Sequence, residues 1–165
     1  MFSKTHNMKK YSFLFIFLLF SVFNLQGQAS SAVRVPDENF RNILLNNYGV
    51  RETLKGPEWI NGDDLALITT LNISGANISD LKGIEVMINL QNLFCSNNAI
   101  FELDVSNSLN LTILDCSNNN LSILDVSNMN LESLNVSGNP NLFTVNCVNN
   151  KLIALDVSNN PTLNN

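Results

Sequence analysis

Histidine is almost absent from this sequence. Its 165 residues include one, His6, which lies within residues 1–29, a segment with the features of an export signal. Without His6 the chain cannot form a Ser-His-Asp triad, a Cys-His nucleophile pair or a zinc site that contains histidine. A Gly-rich phosphate loop and a Cys-x-x-Cys motif are absent too. We therefore predict no enzyme activity and no cofactor or metal site, and only a two-carboxylate hydrolase is left open.

Lysine and arginine are scarce as well, and a third of them lie in the first ten residues. The chain has nine Lys and Arg against 14 Asp and Glu, and removal of residues 1–29 changes the net charge from −5 to −8. Three lysines precede the apolar run 11–23, which is shorter than the roughly 20 residues of a membrane-spanning helix. Small residues ending at Ala29 follow, so residues 1–29 are predicted to be a signal peptide. The acidic remainder argues against a nucleic-acid partner and predicts a secreted or cell-surface protein with no transmembrane span after cleavage.

One short phrase recurs through residues 90–163. Its leading apolar residues stand 10 or 11 positions apart, at 93, 103, 114, 124, 134, 145 and 155. Because side chains alternate across a strand, each phrase predicts a short strand with one buried face. Ten residues are too few for a full coil, which needs two strands about 10 Å apart and two turns. Two phrases therefore make one coil, and the sequence predicts a solenoid with parallel strands on two faces of an apolar core.

Asparagine and cysteine occupy fixed places in this pattern. Counting half-coils places Cys95 and Cys116 as stacked neighbours on one face and Cys147 on the other, and we predict free core thiols rather than a disulfide. An asparagine follows most phrases where the chain turns, and its amide suits unpaired backbone groups. These residues are Asn98, Asn119, Asn139, Asn150 and Asn160.

Residues 111–121 read Leu-x-x-Leu-x-Cys-x-x-Asn-x-Leu, which resembles the consensus Leu-x-x-Leu-x-Leu-x-x-Asn-x-Leu of the leucine-rich repeat family. The Leu-Asp-Cys-Ser-Asn-Asn and Leu-Asp-Val-Ser-Asn halves resemble secreted bacterial repeats of the Bacteroidetes type, and residues 78–84 resemble internalin-type repeats. The resemblance implies a right-handed solenoid that is α/β by family convention but mainly β. It also implies that the outer side changes from irregular to strand-like after Leu90.

The chain before the repeats is predicted to cover the first coil. A short helix begins near Asp37 and presents Phe40, Ile43 and Leu44 as an apolar stripe, and residues 51–62 are expected to form a loop. We assign residues 30–66 to an N-terminal cap and residues 67–165 to the solenoid. The chain reaches Asn165 inside a half-coil, which predicts a fragment of a longer protein or self-association through an uncapped end.

Outward positions on the first strand face are the candidate ligand site. Strand surfaces are usually only solvated, but leucine-rich repeats bind proteins through their strand face, so the resemblance implies a non-catalytic module that binds a protein, or a host or glycan surface. The alternative is a targeting or spacer segment of a larger secreted enzyme, without a ligand of its own. The candidate residues are Asn72, Asn92, Phe94, Ile113, Asp115, Ser133, Asn135 and Asp156.

Overall fold

A computed structural model describes residues 31–163, and every structural statement here refers to that range. The predicted signal peptide, residues 1–29, lies outside the described residues. Within them, no helix is long and apolar enough to cross a bilayer.

The N-terminal cap is a two-stranded antiparallel sheet with two short helices. Strand β1 (Ala32–Arg34) pairs with β2 (Trp59–Asn61), helix α1 (Glu38–Asn47) lies between them in sequence, and α2 (Gly62–Leu65) follows β2. The predicted helix is confirmed, and its Phe40 and Leu44 are buried. The prediction of a loop over residues 51–62 is wrong at its C-terminal end, where residues 59–61 form β2. Neither strand alternates between buried and exposed residues, and β2 also forms an antiparallel bridge to Glu52 through Ile60.

A single carboxylate connects the cap to the first coil. One oxygen of Asp37 accepts the backbone N–H of Phe40 at 3.0 Å and begins α1, as predicted. The other oxygen accepts the N–H groups of Ser79 at 2.9 Å and Asp80 at 3.3 Å. Burial of this carboxyl raises its pKa, but the hydrogen bonds outweigh that effect and the net pKa is lowered. Asp37 is therefore both a helix cap and a junction between the cap and the repeats.

The repeats form a parallel sheet along one face of the solenoid. Its five strands run in the order β3 (Thr70–Asn72), β4 (Asn92–Phe94), β5 (Ile113–Asp115), β7 (Ser133–Asn135) and β9 (Ala154–Asp156). The central residues Leu71, Leu93, Leu114, Leu134 and Leu155 stand side by side in the register. This stacking confirms the predicted solenoid of paired half-coils, and we call this surface the five-strand face.

The opposite face is less regular than predicted. A 3₁₀ turn (Ile84–Val86) forms its first half-coil, and only β6 (Ile123–Asp125) and β8 (Thr144–Asn146) pair there, in parallel. Residues 101–106 form no strand, so the predicted change to strands after Leu90 occurs one coil later than expected. We call residues 101–106 the unpaired half-coil, and this half-coil with β6 and β8 the two-strand face.

Asparagine side chains connect the coils inside the turns. The Asn119 Oδ1 accepts the N–H of Ile100 at 3.0 Å, and its Nδ2 donates to the carbonyls of Cys95, Cys116 and Ser117. Asn98, Asn139, Asn150 and Asn160 have equivalent bonds. Since buried backbone groups are costly when unpaired, these bonds confirm the structural role predicted for the asparagines.

Candidate interaction surface

The five-strand face presents two parallel rows of outward side chains. The register aligns Thr70, Asn92, Ile113, Ser133 and Ala154 in the first row, and Asn72, Phe94, Asp115, Asn135 and Asp156 in the second. All eight candidate residues therefore lie on one surface, about 4.8 Å apart from strand to strand. Residues in the middle of the rows are half-buried, whereas those on β3 and β9 are exposed.

Two apolar side chains interrupt these polar rows. Phe94 stands between Asn72 and Asp115, and Ile113 stands between Asn92 and Ser133. Their strands are neighbours and the two residues are diagonal partners, so an aromatic ring at 94 is within reach of residue 113. Both are half-buried. The centre of the face is therefore an apolar pair surrounded by amides, hydroxyls and a carboxylate.

Four of the polar candidates also hold their own turns. Asn72, Asp115, Asn135 and Asp156 each use one side-chain oxygen to accept the backbone N–H of the serine two residues later, over 2.9 to 3.2 Å. This local bond keeps each side chain upright at the end of its strand. The other carboxylate oxygen of Asp115 and of Asp156 remains available for a ligand.

Charge on this face is negative where it is present. The hydrogen bonds from Ser158, chiefly that of its backbone N–H, lower the pKa of Asp156 below its ordinary value. Asp156 is therefore ionised at neutral pH.

Tyr48 contributes a polar group at the β3 end of this face that the sequence did not predict. Its hydroxyl accepts the N–H of Asn72 at 2.7 Å. Tyr48 directly follows the cap helix and lies outside the repeats, so no repeat pattern in the sequence places it beside β3.

The cysteines are placed as the phase of the repeats predicts. Cys95 and Cys116 are buried and follow neighbouring strands, whereas Cys147 is half-buried and follows β8 on the two-strand face, and all three are free thiols. Burial is the main cause that raises the pKa of Cys95 well above its ordinary value and that of Cys116 to about 12. The thiols of Cys95 and Cys116 are therefore protonated at neutral pH and serve as packing groups.

The described residues contain no group of three or more His, Cys, Asp or Glu side chains able to hold a metal ion. Ion pairs in the same range are confined to the cap, where Arg34 pairs with Glu58 and Arg51 with Asp64. The acidic side chains of the repeats thus face solvent without a basic partner. These side chains can therefore bind neutral or cationic groups of another molecule.

Comparison with known proteins finds a relative that matches part of the chain. The chain is 34% identical over 73 residues to internalin J of Listeria monocytogenes serotype 4b, and this match covers 44% of the chain but only 8% of that protein. No family model matches the chain.

Solved structures of Listeria internalins also match, at low similarity. One is a functional domain of InlJ described as including a cysteine ladder, with 22% identity, a TM-score of 0.39 and coverage of 81% of this chain and 39% of that one. Another is internalin C2, with 20% identity, a TM-score of 0.44 and coverage of 79% and 80%. The chain thus spans much less than two thirds of internalin J and of the InlJ domain.

Proposed function

We propose that this chain, whose repeats resemble those of internalins, is a non-catalytic leucine-rich repeat module that binds a protein partner outside the cell. A relative that it matches by sequence is an internalin. We propose that the five-strand face is the binding surface, and that the predicted signal peptide directs the protein to the cell surface or beyond.

The apolar pair of Phe94 and Ile113 is the observation that carries this proposal. Apolar anchors surrounded by polar groups are typical of the centre of an interface, where a few residues provide most of the binding energy. The surrounding side chains Asn92, Ser133 and Asn135 supply donors and acceptors without a strong charge. A protein surface with an apolar projection and a polar border fits this pattern, and a host or glycan surface is the second kind of ligand that it suits.

The test is a comparison of two double variants of the full chain. Phe94→Ala with Ile113→Ala removes the apolar pair. Leu109→Ala with Phe143→Ala removes two exposed apolar side chains outside the five-strand face, one in a turn and one directly before β8, which are 57% and 51% exposed. Each protein is immobilised and its partners are recovered from an extract of extracellular and surface proteins. We expect a partner that the first variant loses at least about tenfold and the control retains.

Other outcomes contradict the proposal. A partner that both variants retain, or both lose equally, places binding elsewhere. Recovery of no partner by the wild-type chain favours the alternative, a targeting or spacer segment of a larger enzyme.

Self-association is a second proposal with an observation of its own. Within residues 31–163, strand β9 has a neighbour on one side only, and Leu155 and Val157 are 49% and 41% exposed although they repeat core positions. Light scattering over a range of concentrations tests whether two copies meet at this edge. The self-association proposal is overturned if the measured mass remains that of one chain at every concentration. It is also overturned if Leu155→Lys does not lower the mass.

A further inference from the structure

Among the strands that the structure describes, none pairs with one edge of β6. The N–H groups of Val126 and Asn128 bond to residues 146 and 148 on the β8 side, at 2.8 and 2.9 Å. Because backbone groups alternate along a strand, those of Ile123 and Asp125 point the other way, towards the unpaired half-coil. No backbone hydrogen bond joins residues 101–106 to residues 122–126 in the described structure. Unpaired strand edges are sites where extended chains attach.

Grooves lie on both sides of the unpaired half-coil. The groove towards β6 has a volume of about 620 Å³ and is lined by Phe101, Glu102, Asp104, Ile123 and Asp125, among others. The groove towards the 3₁₀ turn has a volume of about 470 Å³ and reaches Asp80, Lys82 and Glu85. The half-coil is held to the 3₁₀ turn by Asn107 and Ser108, which donate to the carbonyls of Glu85 and Met87. These bonds leave β6 without a strand neighbour on that side.

The groove towards β6 combines exposed apolar groups with uncompensated negative charge. Phe101 and Ile123 are 53% and 54% exposed at its borders. Glu102, Asp104 and Asp125 lie in the same groove, and no basic residue lines it. The hydrogen bonds from Ser106 and from Ser127 lower the pKa of Asp104 and of Asp125 respectively, so both are ionised at neutral pH.

We propose that the groove between the unpaired half-coil and β6 is a second docking site, which takes an extended, cationic segment of a partner protein. Lysine or arginine side chains of the segment pair with Glu102, Asp104 and Asp125, and its apolar side chains pack against Phe101 and Ile123. The edge of β6 supplies backbone donors and acceptors to an extended chain. This surface lies on the other face of the solenoid, so the proposal does not depend on the function of the five-strand face.

A synthetic peptide tests the site directly. The probe is a fluorescein-labelled Lys-Val-Lys-Phe-Lys-Val-Lys amide, with a matched peptide that has glutamate in place of lysine. Anisotropy is measured with the full chain at constant ionic strength, because exposed charge pairs weaken with salt. We expect the lysine peptide to bind and the glutamate peptide not to bind. Amide NMR shifts should change most at residues 101–104 and 123–125.

Two double variants separate this groove from general charge attraction. Glu102→Gln with Asp104→Asn removes two charges from the groove, and should weaken the peptide about fivefold. Glu132→Gln with Asp115→Asn removes the same number of charges from β5 and from the residue directly before β7, and should change binding less than about twofold. Asn at 104 and at 115 retains the acceptor for the following serine. Phe101→Ser should weaken binding about tenfold without altering the charge.

Three results would overturn the proposal. They are equal weakening by both double variants, shifts confined to the five-strand face, and no binding of the lysine peptide. None of them contradicts the binding of a partner at Phe94 and Ile113, so the two proposals fail separately.

Discussion

The phrase Leu-Asp-Val-Ser-Asn occurs three times, at 103–107, 124–128 and 155–159, and adopts two conformations. The second and third copies begin inside β6 and β9, whereas the first forms no strand. Asn128 and Asn159 have positive φ angles of 56°, and Asn107 is not among the residues with positive φ. Five identical residues therefore do not determine a strand here.

The difference lies in what each copy has beside it. The third copy follows β7 in the five-strand sheet and the second pairs with β8, whereas the first stands next to a 3₁₀ turn. A turn of that kind offers no extended edge for a parallel ladder. Side-chain bonds from Asn107 and Ser108 hold the first copy to this turn instead. Strand formation in short half-coils thus depends on the neighbour more than on local propensity.

All three copies are preceded by a turn that contains an asparagine. A substitution of that asparagine should cause the largest loss in the free energy of unfolding. Asn119 precedes the second copy by five residues, as Asn98 and Asn150 precede the others. Asn119→Ala leaves the buried N–H of Ile100 without its partner, and it removes one of the two asparagine bonds to each of the carbonyls of Cys95 and Cys116. We expect a loss of about 3 kcal/mol or more in the free energy of unfolding, measured in urea. Asn107→Ala is the control and should lose about 1 kcal/mol, since that residue is exposed and makes one bond.

Equal losses for these two variants would contradict the role given to the buried turn.

The last residue of the phrase should respond in opposite ways in the first two copies. Asn128 has positive φ, so Asn128→Ala should cost about 1 kcal/mol and Asn128→Gly much less, because glycine adopts this conformation freely. At Asn107 the order should reverse, with Gly worse than Ala by about 0.5–1 kcal/mol, because glycine loses more backbone entropy. Urea unfolding of the four variants measures both orders. The same order at both sites would mean that Asn107 also has a left-handed backbone.

Much of this architecture follows from the sequence. The period locates the five-strand register, the positions of Cys95 and Cys116 and the turn asparagines, because each depends on a pattern repeated in every coil. The same period places all eight candidate residues on one face, although their role in binding stays a prediction. The pairing of β1 with β2, the contact of Tyr48 with Asn72 and the missing strand at 101–106 depend on single non-local contacts, which no repeat records.

Backbone amide exchange sharpens the comparison without any substitution. Asp125 and Asp156 occupy the same place in the phrase, but the register and strand alternation direct the N–H of Asp156 to β7 and that of Asp125 to the uncovered edge of β6. We expect the amide of Asp125 to exchange at least about tenfold faster than that of Leu124, which faces β8, when followed by NMR. Similar protection at 124 and 125 would mean that residues 101–106 do pair with β6.

The smallest expected difference among the three copies is in the pKa of their aspartates. The pKa of Asp104, Asp125 and Asp156 is lowered in each case by the serine two residues later, and Asp125 also accepts the Nδ2 of Asn146 at 3.1 Å. Because the folded pKa lies below the unfolded one, each carboxylate stabilises the fold above the unfolded pKa, and this contribution is lost as pH falls through the folded pKa. Asn146→Ala should raise the pKa of Asp125 and leave those of Asp104 and Asp156 unchanged in a carboxyl NMR titration. A pKa shift at all three aspartates would indicate a change in the whole solenoid. A shift at Asp125 alone would show that its pKa depends on the hydrogen bond from Asn146 in the paired strand β8.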